Sequence, residues 1–305
     1  MGCQAGSSGP EFQSEVASIR QHWVPSDPSM PTLAFDREEA QSSKTTYVFL
    51  HGWCENRQFW GPLVTALQLH EPTAMVLTVD LPGHGESQDW LQAGSPREMA
   101  HVLRAWISDQ GLGPVVLVGH NYGATVALET ARSLQEASGD AVRGVIALHA
   151  LYDPSQAYGE DTFEPFAKAL EANFHREMTS FSTGLMTEDS EPESRAWVSE
   201  QMGQARPEQA VALLRALSGF DLRPTLRELR MPVRAINGSM PPTNLEAGQA
   251  FLADFEATVI PDLPGAGFAP MVQAPEACAL AILAYSADWS PQVSAIAEPE
   301  GSQTP

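Results

Sequence analysis

The sequence predicts an α/β fold with a mostly parallel, doubly wound sheet. Short apolar runs of strand length alternate with longer runs of helical spacing over residues 46–148. Strands that alternate with helices imply parallel strands joined by right-handed crossovers. Several of the apolar runs end in turns rich in glycine, proline and histidine. Since open sheets of this class bind ligands at the carboxyl ends of their strands, we place the functional site there.

The individual elements follow from burial and periodicity. Two weak strand-like runs come first, Val16–Val24 and Thr32–Phe35. The stronger apolar runs predict six buried strands, at Thr46–Leu50, Ala74–Val79, Val115–Val118, Gly144–Leu148, Pro232–Ile236 and Ala257–Ile260. Helical spacing predicts helices at Arg97–Asp109 and Ala274–Tyr285. The first of these helices places four apolar side chains on one face: Met99, Val102, Leu103 and Trp106.

The regular alternation stops over residues 154–225, which are Met-bearing and helical in pattern. We predict that this stretch is a helical cap inserted into an α/β core formed by residues 16–153 and 226–287. Residues 1–15 are small and polar, and residues 288–305 are rich in Pro, Ser and Glu. Both ends are therefore predicted to be disordered.

Composition restricts the partners that we expect. The 305 residues carry 38 acidic and 17 basic side chains, for a formal net charge of -21. This charge disfavours nucleic acid and anionic membranes, because phosphate binding needs clustered Lys and Arg. The partner we expect is a small-molecule substrate. No feature of the sequence specifies an oligomeric state.

Compartment and cofactors are predicted from similar signals. The three cysteines form no disulfide framework, which indicates a reducing compartment. No apolar run approaches the ~20 residues of a membrane span, and the N-terminus lacks the apolar stretch of a signal peptide. We therefore expect a cytoplasmic protein. Neither a metal-ligand spacing nor a phosphate-binding glycine loop is present, so we expect no metal and no cofactor.

Four motifs carry a resemblance to a known superfamily. Gly119-His120-Asn121-Tyr122-Gly123 joins a predicted strand to a predicted helix, which is the arrangement of a nucleophile elbow. His51-Gly52-Trp53, Asp80–Ser87 and Gly265–Met271 surround it in the chain. In order and spacing the four motifs resemble the α/β-hydrolases over residues 40–287. The short segment Gly52-Trp53-Cys54 is also similar to the cofactor-free dioxygenases of this superfamily, which open heteroaromatic rings.

The resemblance implies a catalytic triad that this sequence does not contain. The nucleophile position is Asn121, whose amide is a poor nucleophile and cannot hold a catalytic proton. The position of the triad histidine falls on Phe268, and that of the acid falls on Pro241. The dioxygenase branch places its acid one strand earlier, where Ala147-Leu148-His149-Ala150 again lacks a carboxylate. Because general base catalysis needs a titratable group, serine-hydrolase chemistry is disfavoured.

Backbone donors and a few side chains remain as candidate site residues. The resemblance implies an oxyanion hole formed by the backbone amides of Trp53 and Tyr122. Asn121 would orient substrate at the pocket floor, and His149 is the best remaining acid or base because histidine titrates near neutrality. The predicted substrate contacts are the remaining three site residues: Cys54, Tyr152 and Phe268. An aromatic lining of this kind suits an apolar, ring-bearing small molecule.

These features favour a non-hydrolytic enzyme of the isomerase, cyclase or lyase type, acting on a small aromatic or polycyclic substrate. One alternative is a cofactor-independent dioxygenase of heteroaromatic substrates. A second is a catalytically inactive ligand-binding protein. A third is esterase or lactonase activity through another group, such as Cys54 if a positive neighbour depressed the pKa of its thiol.

Overall fold

The computed structural model describes residues 19–38, 45–87, 94–186, 190–239, 241–260 and 267–289. The predicted leader, 1–15, and most of the predicted tail, 288–305, lie outside these ranges. Of the tail, Asp288 and Trp289 are described, and the Trp289 ring packs against Gly144.

A single eight-stranded sheet runs through the described part of the chain, in the order β1-β2-β4-β3-β5-β6-β7-β8. Strands β3 to β8 pair in parallel, whereas β1 and β2 form an antiparallel edge against β4. The strands are Ile19–Trp23 (β1), Leu33–Glu38 (β2), Thr46–Leu50 (β3), Met75–Val79 (β4), Val115–His120 (β5), Val142–Leu148 (β6), Val233–Gly238 (β7) and Glu256–Ile260 (β8). The predicted class, a mostly parallel doubly wound sheet, is confirmed.

The helices connect the strands as crossovers, with a group of four between β6 and β7. They are Gly61–His70 (α1), Pro96–Asp109 (α2), Tyr122–Ser138 (α3), Glu164–Leu185 (α4), Pro192–Gly203 (α5), Pro207–Leu217 (α6), Arg223–Glu228 (α7), Leu245–Gln249 (α8), Pro270–Gln273 (α9) and Pro275–Ala287 (α10). A short 3-10 helix, Arg57–Trp60, precedes α1. Helices α4 to α6 occupy the stretch predicted to form a cap.

Burial explains why the central strands were recognisable. Every residue of β3 and β5 is buried, as expected for parallel strands covered on both faces. Helix α2 buries the four side chains predicted to share a face and begins at a capping box between Ser95 and Glu98. Strand β5 extends two residues beyond its predicted end because Gly119 and His120 still pair with β6.

Two glycines let α3 lie directly against the ends of two strands. A Cβ on Gly123 would overlap the backbone carbonyls of Leu50 and His51 at the end of β3. A Cβ on Gly119 would overlap the backbone of Ala124 in the first turn of α3. Because the colliding atoms belong to the backbone, no side-chain rotation could relieve the overlap. The elbow therefore requires glycine at both positions.

We predict that Gly123→Ala lowers the free energy of unfolding by about 3 kcal/mol or more, the upper range for overpacking a buried site. Gly113→Ala is the matched control, since a Cβ there meets no atom within 4 Å. That change should stay within about 0.5 kcal/mol. Urea unfolding of both variants measures the difference, and equal stabilities would contradict the close approach.

Candidate active site

The elbow holds Asn121 in an unusual backbone conformation, with φ 48° and ψ -113°. Positive φ is uncommon outside glycine, although asparagine tolerates it better than most residues. The conformation is fixed by the Asn121 amide, which donates to the Leu148 carbonyl at 3.0 Å, and by the Asn121 carbonyl, which accepts from Ala124 at 3.0 Å. The Asn121 side chain forms no hydrogen bond to any described residue. Its amide is therefore available to a ligand.

A cavity of about 490 Å³ opens beside the elbow, above the ends of β5 and β6. Four of the predicted site residues line it: Asn121, Tyr122, His149 and Tyr152. The loop after β6, the α6–α7 connection and the loop after β7 complete its wall, and Pro241 of the last loop contributes directly. Asn121 follows His120 in the chain, and His149 follows Leu148. Because His120 and Leu148 are paired in neighbouring strands, Asn121 and His149 lie close together.

His149 is held rigidly at the end of β6. Its backbone has a φ of 47°, and its amide donates to the Ile236 carbonyl of β7 at 3.0 Å. The Tyr152 hydroxyl lies 2.8 Å from His149 Nδ1, and the Phe268 ring stands edge-on at 5.2 Å between centroids. Burial, with a smaller contribution from nearby His120, lowers the pKa of His149 to about 3. The imidazole is therefore neutral at physiological pH.

The second predicted oxyanion donor, Trp53, lies in the turn after β3. Close packing of α3 on the end of β3 brings this turn beside the elbow. Tyr122 is the first residue of α3, so its amide has no intrahelical acceptor. The Trp53 indole donates to the Ala210 carbonyl of α6 at 3.0 Å and meets Phe166 and Phe181 of α4 edge-on. The turn is thus fixed to the helices above it.

Two of the predicted substrate contacts, Cys54 and Phe268, do not line the larger cavity, whereas Tyr152 does. Cys54 lines a second, smaller cavity of about 220 Å³ between the β3 turn and α5–α6. Burial, followed by the charge of Glu55, raises the pKa of the Cys54 thiol well above its ordinary value. An activated nucleophile would need the opposite shift. Phe268 is buried, with its ring packed on His120 and His149 rather than on the wall of the larger cavity.

Sequence reasoning did not identify Asn237, a buried side chain that shapes the site. Asn237 Oδ1 accepts from the Ala150 amide at 3.0 Å, and its Nδ2 donates to the Ala150 carbonyl at 3.0 Å. Asn237 Nδ2 also donates a hydrogen bond to Thr243 Oγ1 at 2.9 Å. The residue therefore ties the loop after β6 to the loop after β7. The signal in the sequence that could have identified Asn237 is its position at the end of an apolar strand.

Two further features concern ligands and membranes. Within the ranges given above, no three histidine, cysteine or acidic side chains converge so as to hold a metal ion. In the same part of the chain, no helix is both long enough and apolar enough to cross a membrane.

The fold and the elbow define an α/β-hydrolase-type protein. The sequence profile of the alpha/beta hydrolase family matches residues 47–282, more than half of the chain, so the chain belongs to this family.

Known relatives include several proteins named as methyl ester esterases. The pimeloyl-[acyl-carrier protein] methyl ester esterase of Nitrosomonas europaea is 27% identical over 245 residues, covering 75% of this chain and 90% of the relative. The biotin biosynthesis bifunctional protein BioHC of Teredinibacter turnerae is 24% identical over 277 residues, 83% of this chain, which spans 46% of that protein. A thermophilic esterase from Thermogutta terrifontis has the same fold, with a TM-score of 0.72, 22% identity, and coverage of 89% of this chain and 99% of that one.

The expected function is corrected by these relatives. The missing triad residues favour a non-hydrolytic isomerase, cyclase or lyase, and this expectation is wrong because several relatives are named as methyl ester esterases, which are hydrolytic enzymes. The same finding overturns the dioxygenase and the inactive binding protein. Loss of a side-chain nucleophile does not by itself end hydrolysis, because water can also attack an ester.

We predict that His149 does not titrate in the physiological range. Its folded pKa of about 3 lies below the ordinary value of 6.5, so protonation between these values occurs in the unfolded chain alone. The stability contributed by the neutral ring is complete above pH 6.5 and is lost as the pH falls towards 3. NMR of ¹⁵N-labelled histidine, assigned with His149→Gln, measures the titration. A midpoint near 6.5 would contradict the burial argument.

Proposed function

We propose that this protein hydrolyses carboxylic esters of small molecules, with water in place of the usual side-chain nucleophile. One observation carries the proposal. Asn121, whose side-chain amide has no hydrogen bond to any described residue, and His149, a neutral imidazole, line the same cavity beside a backbone elbow. The relatives named as methyl ester esterases support the reaction class.

Asn121 would hold the attacking water. Its Oδ1 can accept a hydrogen bond from the water, and its Nδ2 can donate one to the water oxygen as that oxygen approaches the ester carbon. The elbow places this amide where a nucleophile normally stands in this fold. The absence of any hydrogen bond from the Asn121 side chain to described residues supports this role.

His149 would act as the general base. When its Nδ1–H donates to the Tyr152 oxygen, 2.8 Å away, Nε2 is left with a lone pair that can accept a proton from water. The water oxygen then bonds to the ester carbon, the bond to the alkoxide oxygen breaks, and the proton passes from His149 to that alkoxide. A base with a pKa of about 3 accepts protons weakly, so slow turnover is expected.

The amides of Trp53 and Tyr122 would stabilise the tetrahedral intermediate. Because such donors are part of the backbone, they do not depend on which side chain occupies position 121. In triad hydrolases the oxyanion hole and binding alone leave a rate of ~10³–10⁴ over water. We expect most of the acceleration here to come from this source.

The lining of the cavity indicates a neutral, partly apolar ester. A volume of about 490 Å³ lies within the usual range for small-molecule sites. Aromatic and aliphatic side chains provide much of the wall, including Tyr158, Phe220 and Leu217. Among the described residues that line the cavity, Asp153 alone carries a full charge at neutral pH. Together with the net charge of -21, this disfavours anionic substrates.

We predict that removal of either polar group lowers kcat for p-nitrophenyl butyrate. His149→Gln should lower kcat by at least about tenfold. The loss should not exceed the factor of about 10²–10⁴ that a well-tuned base supplies. Asn121→Gly, chosen because glycine tolerates the positive φ, should cost up to about tenfold through the lost hydrogen bond. The exposed His101 provides a matched control as His101→Gln. Unchanged kcat in both site variants would contradict the proposal.

We predict that no acyl-enzyme forms. With substrate in excess, p-nitrophenol release should show no burst, and intact-protein mass spectrometry should show no acyl adduct, because water attacks the ester directly. Cys54→Ser should retain full activity, since burial keeps the Cys54 thiol protonated. A stoichiometric burst, together with an adduct on Cys54, would assign the nucleophile to the thiol instead.

A further inference from the structure

A buried carboxylate and a buried imidazole, Glu55 and His120, connect three loops behind the pocket. His120 Nδ1 lies 2.9 Å from Glu55 Oε1 and 3.0 Å from Oε2. His120 Nε2 lies 2.5 Å from the backbone carbonyl oxygen of Phe268. Both side chains are fully removed from solvent. Neither residue belongs to the triad positions of the family.

The hydrogen bonds fix the number of protons that this pair holds. A carbonyl oxygen can only accept, so His120 Nε2 must carry a proton. Glu55 Oε2 accepts from the Gly52 amide at 2.7 Å. The hydrogen bond between His120 Nδ1 and Glu55 Oε2, at 3.0 Å, then needs one further proton, on the nitrogen or on the carboxyl group. The pair therefore holds one shared proton and has no net charge, which is the state that burial favours.

The pair is in contact with every backbone segment that the proposed reaction uses. Through the Gly52 amide, Glu55 holds the turn that contains Trp53, and the Glu55 amide closes the same turn onto the Gly52 carbonyl at 3.3 Å. His120 immediately precedes Asn121 in the elbow. Its Nε2–H fixes the loop at Phe268, whose ring packs against His149.

We propose that Glu55 and His120 are positioning residues, which hold the Trp53 amide and the elbow in register for stabilisation of the oxyanion. This inference rests on the proposed function, because it assigns the pair to the ester-hydrolysis site. The pair acts through the backbone of its neighbours and does not touch the reacting atoms. The groups that face the His120 ring are Glu55, His149 at 6.0 Å between ring centroids, Trp60 at 6.5 Å and the Phe268 ring at 4.9 Å. Burial and then His84 lower the pKa of His51, which is also buried, well below its ordinary value, and His120 contributes less.

Kinetics of Glu55 variants with p-nitrophenyl butyrate test the proposal. Glu55→Ala should lower kcat by roughly 10²-fold with little change in KM, as expected for a misplaced oxyanion donor. Glu55→Gln preserves the acceptor for the Gly52 amide and can donate to His120 Nδ1, so it should recover kcat to within about tenfold. The matched control is Glu129, an equally buried carboxylate bonded to Arg132 and Thr225 in α3 and α7. Glu129→Ala should lower stability and leave kcat per folded molecule unchanged.

A second readout does not depend on activity. NMR of labelled histidine should show a proton on His120 Nε2, because that nitrogen donates to the Phe268 carbonyl oxygen. The Trp53 amide resonance should shift in Glu55→Ala and not in Glu129→Ala. Unchanged kcat in Glu55→Ala, an equal loss of kcat in Glu129→Ala, or an unprotonated Nε2 would each overturn the proposal. If the unaltered protein hydrolyses no ester, the proposed function fails, and the NMR result alone then decides whether the pair positions the turn.

Discussion

The close approach of α3 to the ends of β3 and β5 is the constraint on which the rest of the site depends. Glycine at positions 119 and 123 removes the side chains that would collide with backbone, and the chain turns sharply between them. The cost is a strained conformation at Asn121, of order 1–3 kcal/mol for such an outlier. The buried face of α3 and the paired strand β5 offset this strain. As a result, the Asn121 side-chain amide and the backbone N–H of Tyr122, which has no intrahelical acceptor, are held at a fixed point.

Backbone strain is concentrated around the same point. In the described part of the chain, four residues other than glycine have positive φ: Cys54, Asn121, His149 and Leu151. All four follow the carboxyl ends of the neighbouring strands β3, β5 and β6. Strained residues of this kind persist where the surrounding structure holds them, and they cluster at functional sites. The clustering therefore marks this edge of the sheet as the site without reference to any side-chain motif.

The sequence was sufficient for the sheet, since apolar runs such as Thr46–Leu50 match the observed strand. It also located Asn121 and His149 at one pocket, because the ends of neighbouring parallel strands must lie together. It could not reveal the pairing of Glu55 with His120, or of Asn237 with Ala150, because these partners are 65 and 87 residues apart. Nor could it give the pKa of His149, which is set by burial from separate parts of the chain.

Burial also determines which kind of hydrolysis the site can support. It keeps the Cys54 thiol protonated and His149 neutral, so neither a thiolate nor a strongly basic imidazole is present near neutral pH. The groups left to act in the proposed reaction are neutral dipoles, namely the amide of Asn121 and the backbone donors at Trp53 and Tyr122. Preorganised dipoles stabilise a developing oxyanion most effectively where water is largely excluded. In the proposed reaction, the burial that weakens His149 as a base also strengthens the oxyanion hole, and the rate depends on the second effect exceeding the first.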